Sequence, residues 1–221
     1  VERLAETRAL TALRRVATGQ GRVAPLSLGD VDWLPAFQVR GEGIFLRVRE
    51  DLLSEFSSGT NSRLDSLVTR IAALGRCELE AGRELVLLHT LAHLVIKRLS
   101  YEAGYGASSI RERIYTSSVG QGERMSGLLL YTAAGDSDGT LGGLVGLGRP
   151  GTLERVLEGA IQDARWCASD PICIESSGQG PESLNLGACH ACSLLPETSC
   201  ELQNRYLDRG AVHQFFAEVL E

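Results

Sequence analysis

The alternation of apolar and polar positions divides the chain into helical and extended stretches before any chemistry is considered. Leu4, Ala9, Leu13 and Val16 recur at near-helical spacing, so residues 2–17 read as an amphipathic helix that stops before Gly19. A loop with Gly19, Gly21, Pro25 and Gly29 leads to Trp33-Leu34-Pro35. Phe37 to Val48 then reads as two short strands around Gly41-Glu42-Gly43, a hairpin with Ile44, Leu46 and Val48 at alternate positions. Residues 50–57 read as a helix, and residues 63–75 and 78–102 as two more. The last of these is apolar around most of its circumference, through Leu85, Val86, Leu87, Leu88, Leu91, Leu94, Val95, Ile96 and Leu99, which predicts the central buried helix. Strands are expected around residues 113–117 and 127–134, the second a buried run of Leu128, Leu129, Leu130 and Tyr131. A glycine-rich turn over residues 139–151, a helix over 153–166 and closing helices over 202–207 and 211–220 complete the pattern. The sum is a mixed α+β fold with a small sheet. Residues 1–62 form an N-terminal helix and hairpin region, and residues 63–221 the main domain.

Length and hydrophobic content of 221 residues and 43% support one large domain, or one domain with a small appendage. No apolar run reaches the ~18–20 residues of a bilayer span, since the stretch from Leu85 to Leu99 is interrupted by His89, His93, Lys97 and Arg98. A soluble, cytoplasmic protein is expected. The charge is unevenly placed: residues 167–221 hold eight acidic groups against Arg205 and Arg209, which accounts for the whole net charge of −6. That lobe is a poor holder of phosphates. Arg3, Arg8, Arg14, Arg15 and Arg22 outnumber Glu2 and Glu6 at the start, where the expected basic helix is either a solvated face or a weak contact for nucleic acid or an acidic partner.

The strongest chemical feature lies in the last quarter, which holds five of the six cysteines: Cys167, Cys173, Cys189, Cys192 and Cys200. Cys189 and Cys192 have the C-x-x-C spacing that lets two thiolates face one tetrahedral ion from a single tight turn. Cys167 and Cys173, spaced C-x5-C, can supply the second pair, and Cys200 is a further contender, so five thiols compete for four places. Cys173 and Cys200 are expected to weigh more than Cys167, whose place at a helix end also suits packing. Disulfides suit shorter secreted chains, and the glycine-rich approach to Cys189 is unlike the strand-to-helix setting of a redox pair. Four thiolates saturate zinc and leave no position for water, so the expected role of the ion is structural.

Other patterns are weaker. His89 and His93 lie four apart on one helical face, but Thr90 stands where the glutamate base of a zinc protease would be. Each imidazole is therefore expected to be satisfied by a buried carbonyl or carboxylate. Gly146-x-Gly148-x-x-Gly151 matches a dinucleotide fingerprint only formally, because Pro150 removes an amide and no strand immediately precedes it. Asp136 and Asp138 follow a strand, where a metal-dependent nuclease would hold carboxylates. An enzyme using Asp136, Asp138, His89 and His93 is thus the rival from a different class.

Several runs taken together carry a family likeness. They are Leu88-His89-Thr90-Leu91-Ala92-His93-Leu94, Asp136-Ser137-Asp138-Gly139-Thr140-Leu141-Gly142-Gly143-Leu144, Trp166-Cys167-x5-Cys173, and Ala188-Cys189-His190-Ala191-Cys192 leading to Asn204-Arg205-Tyr206-Leu207-Asp208-Arg209. The chain resembles the zinc-binding domain at the C-terminus of Mrf-type DNA-repair helicases, and still more the DrmB family of helicase-associated proteins from DISARM anti-phage systems. The resemblance implies a non-catalytic, zinc-stabilised module that works beside a superfamily-two helicase, either a DrmA-like subunit or a helicase domain of the same chain. It also implies that Cys167, Cys173, Cys189, Cys192 and Cys200 are the zinc ligands, and that DNA is met indirectly.

Overall fold

The computed structural model describes residues 1–14, 23–27, 29–75, 82–116, 125–132 and 143–220. In chain order the strands β1 (Leu4–Ala9), β2 (Ala12–Arg14), β3 (Val23–Pro25), β4 (Ala36–Gly41) and β5 (Gly43–Arg47) come first. The helices α1 (Glu50–Ser58), α2 (Ser62–Leu74) and α3 (Arg83–Ala103) follow, then β6 (Ile110–Tyr115) and β7 (Gly127–Thr132). The helices α4 (Gly143–Leu147), α5 (Thr152–Ala164), α6 (Ile172–Glu175) and α7 (Arg209–Leu220) complete a mixed α+β architecture.

The expected N-terminal helix is replaced by strands. β1 pairs antiparallel with β4, from Leu4 opposite Gly41 to Ala9 opposite Ala36, and its burial alternates residue by residue. β2 pairs with β3, while Val16 lies outside the described residues. Helix propensities differ by only tenths of a kcal/mol per residue, so a partner strand that satisfies the backbone on one edge outweighs them. Arg8 is engaged on β1 itself, with Glu6 at 2.8 Å and the Phe37 ring at 5.7 Å.

The expected hairpin at Gly41-Glu42-Gly43 is also absent. β4 and β5 run on through Glu42 and pair with different neighbours, β4 with β1 and β5 with β7. The glycines serve close approach: a Cβ on Gly41 would stand 1.6 Å from the Thr132 carbonyl oxygen. Neither glycine has a positive φ, which a two-residue hairpin turn would demand. Glu42, only 1% exposed, instead turns its carboxylate to the start of α4, accepting from Leu144 N at 3.0 Å and Val145 N at 3.1 Å. A short helix thus begins inside what reads as a glycine-rich turn, because a buried anion answers its free amides.

The sheet β5-β7-β6 is antiparallel throughout, with Ile44 opposite Leu130 and Ile114 opposite Leu128. Its inward face lies on α3, in which every residue from Leu85 to Ile96 is buried. Burying each such Leu, Ile or Val contributes about 1.5–3 kcal/mol, which explains why α3 holds although Gly82 at its start supplies no side-chain cap. The helix stops at Gly104, whose left-handed φ of 70° turns its amide back to Ser100 O. α5 lies close against α3 through the small residues Ala160 and Ala164 with Val156. One apolar core also takes in Ile44, Leu53 and Phe56 from the N-terminal region and Phe215 from α7. Among the described residues, no helix is long and apolar enough to cross a membrane.

The expected helix over 202–207 is a set of turns. Gln203, Asn204 and Tyr206 all have positive φ, near 58°, 56° and 66°, and the segment is pinned from outside. Asn204 joins Leu195 through both ends of its amide at 2.9 and 2.8 Å, and Tyr206 N donates to Leu184 O at 2.8 Å.

Candidate metal centre

Cys167 follows the end of α5, Cys173 lies on α6, and Cys189 and Cys192 bracket a tight turn in which Cys192 N and Ser193 N both donate to Cys189 O. These four thiols converge. Sulfur separations are 3.5 Å for Cys167–Cys189, 3.7 Å for Cys189–Cys192 and 3.8 Å for Cys173–Cys192. An ion at ~2.3 Å from four sulfurs in a tetrahedron requires edges of about 3.8 Å, whereas a disulfide would bring two sulfurs to about 2.05 Å, so the cluster has the dimensions of a zinc site. Outer contacts orient the sulfurs, as second-layer hydrogen bonds do at metal sites. Cys189 N donates to Cys192 Sγ at 3.2 Å, Ser169 N to Cys167 Sγ at 3.4 Å and Ser193 Oγ to Cys192 Sγ at 3.4 Å.

The loop between the first two cysteines is held by an ion pair. Asp170 accepts from Cys167 N at 2.8 Å and Ile174 N at 3.1 Å, and it meets the buried guanidinium of Arg209, which also donates to Ala164 O at 2.9 Å. Partial burial pushes the Asp170 carboxyl up, but the bond from Arg209 and the Cys167 amide together hold it below the usual carboxylate range. Among the thiols, burial raises Cys173 to about 12. Cys189 also feels burial, yet the Cys192 amide and the Cys167 thiol bring it down to about 6, making it a ready thiolate.

Cys200 does not join this cluster, and Cys167 does, so the expected ranking of the two is reversed. Edge bonding decides where Cys200 goes: Glu112 N on β6 donates to Ser199 O at 3.1 Å and Ile114 N to Glu201 Oε1 at 2.6 Å, which lays the Cys200 loop along the strand. There Cys200 Sγ lies 3.2 Å from His89 Nε2, while Glu112 Oε1 lies 3.0 Å from His89 Nε2 and 3.3 Å from His93 Nε2. His93 Nδ1 donates to the Ser193 carbonyl at 2.8 Å. Both histidines thus meet a carboxylate and one meets a carbonyl, as expected, at 0% exposure. Glu112 was not foreseen: strand alternation places it inward with Ile110 and Ile114, but reading the strand as starting at Arg113 hides the pattern. Asp136, Asp138 and Cys77 lie outside the described residues.

A mixed α+β domain that closes four thiolates around one tetrahedral point is, by class, a zinc-binding domain of the thiolate-knuckle kind. Residues 91–193 match the family described as the MrfA Zn-binding domain, a span that includes all four converging cysteines. The chain is also similar to the DISARM protein DrmB of Bacillus paralicheniformis (strain ATCC 9945a / NCIMB 11709 / CD-2), with 40% identity over 191 residues. That match takes in 82% of this chain and 33% of the relative, so the chain spans about a third of the relative's length.

Proposed function

We propose that this chain is a non-catalytic, zinc-stabilised module of a cytoplasmic anti-phage defence complex of the DISARM kind, and that it scaffolds or regulates a superfamily-two helicase. The observation that carries the reading is the saturated donor set of Cys167, Cys173, Cys189 and Cys192, in a chain similar to a DISARM protein. A four-thiolate site offers zinc no open position, so its binding energy goes into folding and not into activating water. The surface beside it suits a protein partner. Trp166 is 71% and Ile172 82% exposed next to Cys167 and Cys173, and a cleft of about 610 Å³ runs from Trp166 past Tyr101, Lys97 and Arg98. Exposed aromatic side chains and Arg are the residues enriched at interface hot spots. DNA is reached through the partner, with the Arg-bearing N-terminal strands at most a weak contact.

The test is titration calorimetry of the zinc-loaded chain against the helicase subunit of the same defence system. Binding is expected, and Trp166→Ala with Ile172→Glu should weaken it at least tenfold, about 1.4 kcal/mol, without loss of zinc. Absence of binding, together with magnesium- or manganese-dependent DNA cleavage abolished by Asp136→Ala and Asp138→Ala, would establish the nuclease instead.

A further inference from the structure

His89, His93, Glu112 and Cys200 have no task in the thiolate knuckle, and their geometry is that of a second centre. Each offers one donor atom, and the four atoms lie within 4.8 Å of one another. They stand on firm supports: successive turns of α3, the middle of β6, and the loop bonded to the edge of β6.

The proton inventory leaves the cluster in need of one more positive charge, a proton or a cation. The Ser193 carbonyl can only accept, so His93 Nδ1 carries the hydrogen, and a neutral His93 turns the lone pair of Nε2 toward Glu112 Oε1 at 3.3 Å. Two acceptors facing each other away from water repel unless a proton or a cation lies between them. The same oxygen faces His89 Nε2, and that nitrogen also faces Cys200 Sγ. Glu112 Oε2 is buried with no hydrogen-bond partner, which leaves half of a desolvated carboxylate without compensation.

We infer that His89, His93, Glu112 and Cys200 form a second, tetrahedral site for a divalent cation of zinc's class, distinct from the four-cysteine knuckle. A zinc ion with nitrogen or oxygen donors at ~2.0–2.2 Å and sulfur at ~2.3 Å needs edges of about 3.4 Å between the lighter donors and about 3.6 Å from nitrogen to sulfur. The observed 3.0, 3.3 and 3.2 Å fall short by a few tenths of an ångström, within reach of side-chain adjustment. Two imidazoles, a carboxylate and a thiolate favour zinc over calcium or magnesium, which take oxygen. The charges of one thiolate and one carboxylate cancel the ion's, and a fully buried site requires such neutrality. The His93 bond to the Ser193 carbonyl is the backing that a metal-bound imidazole normally has. Ser193 Oγ in turn bonds Cys192 Sγ, so one residue links the two centres.

The experiment loads the full chain with zinc, dialyses it against metal-free buffer, and measures metal content and the zinc X-ray absorption edge. About two zinc ions per chain are expected, with a first shell averaging five sulfurs to three lighter donors over both sites. Cys200→Ala and Glu112→Gln should each reduce this to about one zinc in an all-sulfur shell, and Cys189→Ser to about one zinc in a shell rich in nitrogen and oxygen. One zinc with an all-sulfur shell in the unaltered chain overturns the second site and leaves the knuckle. One zinc with a shell rich in nitrogen and oxygen sinks the knuckle and leaves the second site, and a metal-free folded chain sinks both. Should Cys200→Ala fail to fold, the absorption spectrum of the unaltered chain decides alone.

Discussion

The Asp170–Arg209 pair, which braces the loop between Cys167 and Cys173, should respond asymmetrically to removal of its two halves. The Arg209 side chain is 1% exposed and the Asp170 side chain 18%. In Asp170→Asn the guanidinium keeps its charge in a nearly dry setting and loses its nearest counter-ion, so the cost should lie near the 3–5 kcal/mol typical of breaking a buried pair. In Arg209→Met the stranded carboxylate still touches water and keeps the Cys167 and Ile174 amides, and Met fills much of the vacated volume, so about 2 kcal/mol is expected. The double variant should cost clearly less than the sum of the two. For a chain of this size these values correspond to losses in melting temperature of roughly 4–8 °C for Arg209→Met and 6–20 °C for Asp170→Asn, readable by thermal denaturation in saturating zinc. The pH dependence follows from the depressed Asp170 carboxyl: its folded pKa lies below the unfolded value, so its stabilisation is full above the usual ~3.9 and is lost as pH falls through the folded pKa. The double variant should lack that acid-dependent component. Arg209→Met costing more than Asp170→Asn, or strictly additive costs, would refute the reasoning.

Cys189→Ser or Cys192→Ser should empty the knuckle and loosen its own loops between residues 167 and 192, since structural zinc contributes on the order of 10 kcal/mol in zinc-finger peptides; elemental analysis and limited proteolysis check this, with Cys77→Ser expected to change neither. Glu42→Ala removes both carboxylate bonds to the α4 amides and should cost about 2–4 kcal/mol by urea denaturation, with Glu42→Gln recovering part of it. Gly41→Ala would drive a Cβ into the Thr132 carbonyl at 1.6 Å and should cost at least about 3 kcal/mol, seen as a lowered denaturation midpoint, whereas Gly29→Ala, with nothing within 4 Å, should be near neutral.

Local pattern was enough wherever one segment's own periodicity or spacing carried the signal. The run from Leu85 to Leu99 specifies a helix buried on nearly all sides in any fold that can cover it, and α1, α2, α5 and α7 follow from amphipathic stripes of the same kind. The Cys189-x-x-Cys192 turn and its zinc chemistry were legible because the donor geometry depends on only four consecutive residues. Segments whose state depends on a distant partner were not legible. Residues 4–9 favour a helix in isolation and become a strand because β4 offers a matching edge, and Gly41 and Gly43 resemble a turn until β7 is laid against them. The competition among five thiols could not be settled from spacing, since Cys200, eight residues from Cys192, is near enough in sequence to complete the knuckle as well as Cys167. Long-range hydrogen bonds from the β6 backbone to Ser199 O and the Glu201 carboxylate carry Cys200 to His89 and leave Cys167 beside the other three thiols. Chain spacing limits which donors can meet within a turn, but only tertiary pairing decides which of several distant donors share one point in space.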